Sequence, residues 1–317
     1  MIGSHLVHRL LASGYRVAVL VRPRGNRVRL QQIAHELHLV EADITDGAAV
    51  RAAVVNFQPQ VVFHLAGTLW GRPTVTTERH VTVSVLGTLH LLEAVHEVPG
   101  ARVVFTGSSS VYGGGTRLHE GQLPTPGSIN GAAKAAASLL VQTYAREHKL
   151  ETVELRLFMP YGPWEHPSRL IPHVILSALS GEDVRMTQGT QQRDVIYIDD
   201  VIDALMLAAT RPVHPGVVLN IGSGAGLSVR DLVGRILRLM GDPVQPRPGA
   251  VPMRPDEMME MSADISAARE QLGWTPRISL DEGLRKSIAW FGEHRDVAKL
   301  LADPSPVREQ EPVRSDA

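Results

Sequence analysis

With no cysteine anywhere in the sequence, thiol nucleophiles, disulfides and zinc–thiolate sites are excluded. Proton transfer must fall to hydroxyls, amines, imidazoles and carboxylates, and two short segments concentrate such groups. FTGSSSVYG (105–113) places Ser108, Ser109 and Ser110 at the end of an apolar run, and GAAK (131–134) carries Lys134. The chain has three other lysines, Lys149, Lys286 and Lys299, so each is conspicuous. Guanidinium groups recur at Arg22 and Arg24 directly after an apolar run, at Arg169 in HPSRLIP, at Arg193 in QQRD and at Arg254 in RPDE. Each alone is compatible with a surface residue, but a guanidinium can grip a phosphate through two parallel hydrogen bonds. No metal site is expected.

Alternating β-branched runs and helical stretches must position these groups. Apolar residues at helical spacing in IGSHLVHRLLASG end at Gly14, a C-terminal cap signal. Strands are expected at 15–21, 37–44, 60–67, 101–109 and 152–158, and helices near 27–35 and at 45–57, 78–97 and 129–148. Thr45 or Asp46 caps the second of those helices. Continuously apolar strands between helices imply a parallel sheet covered on both faces. The expected fold is α/β and doubly wound (Rossmann-type), with ligands at the carboxyl ends of the strands. After Phe158 the rhythm changes. The Pro- and Gly-rich loop MPYGPWEHPS leads into helices at 169–180, 199–211, near 228–240, 263–272 and 280–293, with short strands at 184–187, 193–197 and 217–221. These describe a smaller C-terminal lobe, followed by a disordered polar tail at 301–317.

One element is missing at the start. A doubly wound sheet begins with a strand and a Gly-rich turn, whereas this chain opens on the helix. In the usual order the first strand is central, and its absence leaves backbone groups unpaired at about 1–3 kcal/mol each. The expectation is a sequence that starts late, with a rearranged sheet as the alternative.

Ordered motifs run from Ile2 to about Phe291: IGSHLVHRLLASGY (2–15), EADITD (41–46), VVFHLAG (61–67), VLGTLHLLEA (85–94), FTGSSSVYG with GAAK, and RLFMPYGP (156–163) with GTQQRDVIYIDDV (189–201). RPDE (254–257) and ISAAREQLGWTP (265–276) follow. Together they resemble the extended short-chain dehydrogenase/reductases of the NAD-dependent, nucleotide-sugar epimerase/dehydratase family. The resemblance implies an NAD(P)-dependent enzyme that moves a hydride at a sugar carbon of a nucleoside-diphosphate sugar, by 4-epimerase or 4-ketoreductase type chemistry. It makes residues 1–158 plus about 193–223 the dinucleotide-binding domain, and 159–192 plus about 224–300 the substrate lobe. It also assigns cofactor contacts. Gly3 is the last glycine of the family's G-x-x-G-x-x-G turn, and the only one present, so dinucleotide would be held poorly. Asp43 and Ile44 match the adenine contacts, Leu65, Ala66 and Gly67 the ribose and pyrophosphate, and Lys134 the nicotinamide ribose. Arg22 stands where an acidic residue would select NAD, which favours NADP. Stacking of Arg22 on adenine, or simple solvation, are the alternatives.

In this family a tyrosinate takes the substrate hydroxyl proton, a lysine four residues later lowers the tyrosine pKa, and a Ser or Thr orients the substrate oxygen. Ser108 and Lys134 match the last two. The tyrosine position holds Asn130, and an amide cannot carry a proton near neutral pH. General-base help is worth about 10²–10⁴-fold, so hydride shuttling should be slow unless another group acts. Tyr112 is no substitute, because the family carries a tyrosine there as well. Ser108 with Lys134 and a water is one replacement, and His119, Glu120 and His166 are further candidates. The competing readings are a purely cofactor-binding Lys134 and a strand-capping Ser108. Ser84 replaces an asparagine that supports a water near the lysine. Ser109-Ser110 replace the Asp-Glu pair of the 4,6-dehydratases, which argues against dehydration.

On the substrate side, Arg193 and Arg254, with Arg169 as a third, match arginines that hold the nucleotide diphosphate. Met159 replaces an asparagine and loses a polar contact. Trp164 packs on the ligand or against the smaller lobe, His64 reads as a packed strand residue, and Asp199-Asp200 as caps of the next helix. Helices 78–97 and 129–148 form the dimer bundle in relatives, so a homodimer is expected. A formal net charge of −1 excludes a strongly cationic nucleic-acid or membrane-surface binder. No apolar run approaches the ~18 residues of a membrane span, and no secretory signal opens the chain. A cytoplasmic location fits. The alternative function is a catalytically degenerate protein that retains nucleotide-sugar or dinucleotide recognition.

Overall fold

Four apolar segments pair in parallel at the centre of the computed structural model, which describes residues 1–68, 75–254 and 257–302. Arg102–Ser108 lies between Val61–His64 and Glu151–Leu157, and Val217–Ile221 adds to the outer edge of the latter. Side chains alternate between the two faces of such a sheet. Val103 and Phe105 pack with the helices Gly47–Phe57, Gly87–His96 and Ile129–Glu147. Val104 and Leu155 pack on the other side with Ile2–Ala12, Ile198–Thr210 and the C-terminal helices. Apolar cover on both faces explains why these strands read as continuous hydrophobic runs. The doubly wound α/β expectation is met.

Local chemistry sets the helix ends. Asp46 accepts from the Ala49 amide at 3.0 Å and caps Gly47–Phe57, and Ser128 accepts from the Gly131 amide at 3.1 Å and caps Ile129–Glu147. Gly14, at φ +78, ends the first helix in the left-handed region.

The sheet is divided. Ala18–Val21 and His38–Glu41 pair with each other, but not with the four central strands. Among the described residues, Ala18–Val21 and Val61–His64 each carry a ladder on one edge only, and most of their residues are half-buried. Among the described residues no ladder joins the two sets of strands. The division falls where a first strand belongs in the doubly wound order.

Several expectations need correction. The helix expected at 78–97 is three pieces: Thr77–Val81, a π-helical turn Thr82–Leu86, and Gly87–His96. Gly87 is needed there because a side-chain Cβ would come within 2.8 Å of Ile44 Cγ2. Asp199 and Asp200 do not cap Ile198–Thr210, which starts without a side-chain cap. Asp200 instead accepts from the amides of Arg277 and Ile278 at 2.8 and 3.1 Å, tying the helix to the following loop. Residues 301 and 302 end the helix Arg295–Ala302 rather than belonging to a disordered tail, and 303–317 lie outside the described residues. No described helix is long and apolar enough to cross a membrane.

The loop after Phe158 folds back over the carboxyl ends of the strands. Met159–Tyr161 pairs in parallel with Val195–Tyr197, and Trp164 packs on Trp290 of the helix Leu280–Glu293, with ring centroids 5.0 Å apart. Trp164 is therefore a packing residue of the smaller lobe. Beside it Glu165 is 4% exposed, with Oε2 unbonded, and burial pushes its carboxyl up to about 8 against the pull of Arg169. A glutamate in the unfolded chain titrates near 4.5. Between that value and about 8 the unfolded chain is ionised at this residue while the folded chain holds a proton, so stability is lost as pH rises through the window. Glu165→Gln removes this titration. Its unfolding midpoint is expected to fall less than that of the parent between about pH 5 and pH 8. Thermal denaturation across that range checks this, and identical pH slopes would refute a protonated Glu165.

Candidate active site

The strands Val61–His64 and Arg102–Ser108 end beside the first turns of Ile129–Glu147, and Lys134 projects into that corner. Its Nζ donates to the Thr106 carbonyl at 3.2 Å and lies 5.3 Å from the Phe105 ring. A Cβ at Gly67 would stand 3.4 Å from Nζ, so glycine lets the loop approach the ammonium closely. Burial lowers the Lys134 ammonium to about 8, with Glu154 pulling the other way. His64, on the neighbouring strand, is buried and bonded through Nε2 to Thr88 Oγ1 at 2.8 Å. Burial and then the Lys134 charge lower it to about 3, so it is neutral and structural, as expected.

Asn130 is one helical turn before Lys134. Its Oδ1 is buried without a hydrogen-bond partner, as is Ser84 Oγ on the π-helical turn packed against the same helix. Two orphaned oxygens are costly in a native interior and mark a place for a ligand or water. Asn130 lines a groove of about 560 Å³ together with Ser128, Thr77 and His80. His80 Nδ1 is 2.5 Å from Thr68 Oγ1, directly after Gly67. Ser108 Oγ accepts from the Ser110 amide at 3.2 Å and lies 2.8 Å from Ser110 Oγ, the geometry of a strand-end cap.

Gly67 without a side chain, the Lys134 ammonium and the unbonded oxygens of Asn130 and Ser84 are groups that could hold part of a dinucleotide here. Elsewhere the fit is poorer. Gly3 faces Leu65 Cδ1, 3.5 Å from where a Cβ would lie. Asp43 is engaged by the Thr45 amide and hydroxyl and by Arg79 at 2.5 Å. Ile44 is buried against Gly87, Ala66 is half-buried behind the same cluster, and Arg22 is exposed after its strand.

Two expected substrate arginines converge. Arg193 pairs with Glu257 Oε1 and also donates to the Gln192 and Met258 carbonyls at 2.7 Å, while Arg254 pairs with Glu257 Oε2 at 2.8 Å. Arg169 is not part of this pair, and lies 3.6 Å from Glu165. Met159 bonds to Asp194 through its backbone and packs on the core. Of the loop candidates, His166 is bonded to Ser168 at 2.8 Å, His119 is exposed, and Glu120 accepts from the Asn220 amide at 2.6 Å.

A buried polar network beneath Lys134 escaped the sequence reading. Glu154 Oε1 accepts from Arg156 Nε at 3.2 Å, and Oε2 accepts from Ser138 Oγ at 2.5 Å. Arg156 continues to Tyr112 Oη at 2.9 Å, and Tyr112 to Asn220 Oδ1 at 2.8 Å. Tyr112 is thus occupied in the core and is no proton donor for the cleft. The available signal was two charges inside the apolar run TVELRLF, but the partners Ser138, Tyr112 and Asn220 come from three other segments.

The model of the NAD dependent epimerase/dehydratase family matches residues 1–222. The UDP-glucose 4-epimerase of Mycolicibacterium smegmatis is 31% identical over 301 residues, which cover 92% of this chain and 95% of that protein. The structure of the UDP-glucose 4-epimerase of Thermotoga maritima with UDP-glucose superposes with a TM-score of 0.85 at 28% identity, covering 92% of this chain and 96% of the other. That of MoeE5 with UDP-glucose and NAD superposes with a TM-score of 0.81 at 34% identity, covering 93% and 96%.

Removing one member of a buried ion pair leaves the other unpaired, which typically costs about 3–5 kcal/mol. Arg156→Met is expected to lower stability by that order in urea denaturation, and Glu154→Leu/Arg156→Met by clearly less. Equal losses in the two variants would contradict the pairing.

Proposed function

The chain belongs to the NAD-dependent epimerase/dehydratase family, and on that premise we propose that it acts on a nucleoside-diphosphate sugar by 4-epimerase or 4-ketoreductase type chemistry, with Lys134 handling the proton that a phenol handles elsewhere. The observation that carries this reading is the place of Lys134: its amine stands at the carboxyl ends of the central strands, against Gly67, with its ammonium brought down to about 8 by burial. About a tenth of such an amine is neutral at pH 7, and a group titrating near the working pH is the effective general base. A bound nicotinamide cofactor supplies the hydride acceptor for the sugar carbon. Lys134 Nζ takes the hydroxyl proton and returns it, while the Asn130 amide and the Ser108 hydroxyl orient the sugar oxygen. Ser109 is buried and Ser110 is bonded to Ser108, so neither supplies an acid for eliminating water. This favours epimerase or ketoreductase over 4,6-dehydratase.

Arg193 and Arg254 already meet on one carboxylate, and a diphosphate offers the same two groups a stronger, bidentate anion. UDP-glucose bound to the Thermotoga relative and to MoeE5 supports a nucleotide sugar as the ligand. The relative with NAD supports a nicotinamide dinucleotide. The exposed Arg22 guanidinium, free of an acidic neighbour in its own segment VRPR, supports NADP as the preferred form. In this reading residues 1–158 plus about 193–223 hold the dinucleotide, and 159–192 plus about 224–300 the sugar.

Self-association follows from surface composition. Val81, Leu86 and Leu139 are exposed on helices packed side by side, with Leu86 at 44% and Leu139 at 57%. Clustered apolar exposure of this kind marks an interaction surface, here for a second copy of the chain.

Incubation with UDP-glucose and either NAD or NADP tests the function, read as reduced cofactor and epimeric sugar. The rate is expected to rise with pH up to about 8 and level off, as the neutral amine accumulates. Lys134→Met is expected to abolish it while the dinucleotide still binds. Turnover in Asn130→Tyr with none in the parent would instead make this chain a non-catalytic binder. For the dimer, Leu86→Glu/Leu139→Glu is expected to give a folded monomer in analytical ultracentrifugation, and an unchanged sedimentation coefficient would refute that interface.

A further inference from the structure

We propose that Glu154 is a positioning residue for Lys134: its buried carboxylate, on the strand beside Phe105 and bonded by Ser138 one helical turn after Lys134, favours the charged state of the lysine. The inference rests on the reading of Lys134 as the proton-handling group and names what governs it. Strand register places Glu154 beside Phe105, whose ring lies under Lys134 Nζ. The carboxylate presses on the backbone at Gly107, where a Cβ would collide with Oε1. Ser138, four residues after Lys134 on the same helix, donates to Oε2 at 2.5 Å. Lys134 and Ser138 therefore lie on one helix face, the first on the Thr106 carbonyl and the second on the Glu154 carboxylate.

The other titratable groups around this corner do not substitute for it. On the Glu154 strand Arg156 is cationic and turned to Tyr112, and on the next strand Ser108 ends in a hydroxyl. His64 is neutral, His80 is bonded to Thr68, and the Tyr112 phenol is engaged by Arg156 and Asn220. Glu154 is the one carboxylate among the described residues that opposes the effect of burial on Lys134. Without it, desolvation acts alone and favours the uncharged amine.

The four lysines make a direct test practical. With ¹³C-labelled lysine, each side chain gives a separate resonance, and Lys134→Arg assigns the one at issue. In Glu154→Gln the Lys134 titration midpoint is expected to fall by about one pH unit or more, a tenfold change in the charged-to-neutral ratio. Lys149, Lys286 and Lys299 are expected to stay in place. If Glu154→Gln does not fold, Glu154→Leu/Arg156→Met removes the carboxylate without stranding the guanidinium, and the same fall is expected there. An unmoved Lys134 midpoint in either folded variant would overturn the proposal. The titration needs neither sugar nor dinucleotide, so failure of the parent to bind either would count against the proposed function and not against this inference.

Discussion

The pairing of Arg102–Ser108 on both of its edges governs where chemistry can occur in this molecule. A parallel strand with both ladders satisfied leaves polar backbone groups available only at its ends, and here the carboxyl end offers the Thr106 carbonyl, Gly107 and Ser108. Lys134 reaches that end from Ile129–Glu147 and bonds to Thr106, while Gly67 approaches from the adjacent strand. The absent side chains matter as much as the present ones. A methyl at Gly107 would displace the Glu154 carboxylate, and one at Gly87 would push the π-helical turn off Ile44.

Charge is handled differently in three places. Glu154 and Arg156 are fully enclosed, and their desolvation is offset by a network that satisfies Ser138, Tyr112 and Asn220 as well. Arg193, Glu257 and Arg254 form a triad with an exposed end, where a stronger anion can compete for the guanidinium groups. Lys134 lies between these cases, without a direct ion pair, so its charge answers to burial and to Glu154 through space.

The rest of the fold serves to close this corner. Residues after Phe158 cross over the strand ends, pack Trp164 on Trp290, and return through Val195–Tyr197 and Val217–Ile221 to the sheet. On the opposite side Ala18–Val21 and His38–Glu41 pair only with each other among the described residues.

Much of this was legible in the residues. Continuous apolar runs such as VVFHLAG and ARVVF announced buried parallel strands, because periodicity and burial are local properties of the chain. Cap signals act within a single turn, and those at Asp46 and Gly14 are met. The assignment of Lys134 and Gly67 to one cofactor, and of Arg193 and Arg254 to one diphosphate, came from the family resemblance. What could not be read was anything that depends on which segments become neighbours. Asp200 looked like a helix cap and instead holds the loop at Arg277. Trp164 had two partners on offer, and only packing chose Trp290. Glu154 was given no role by the sequence, and only folding set it beside Ser138 and Arg156. Sequence determined the elements and the kinds of group at their ends, because those follow from local sterics and hydrophobic spacing. The tertiary structure decided which charges meet and how far from water, because desolvation and through-space electrostatics arise only when distant segments are packed together.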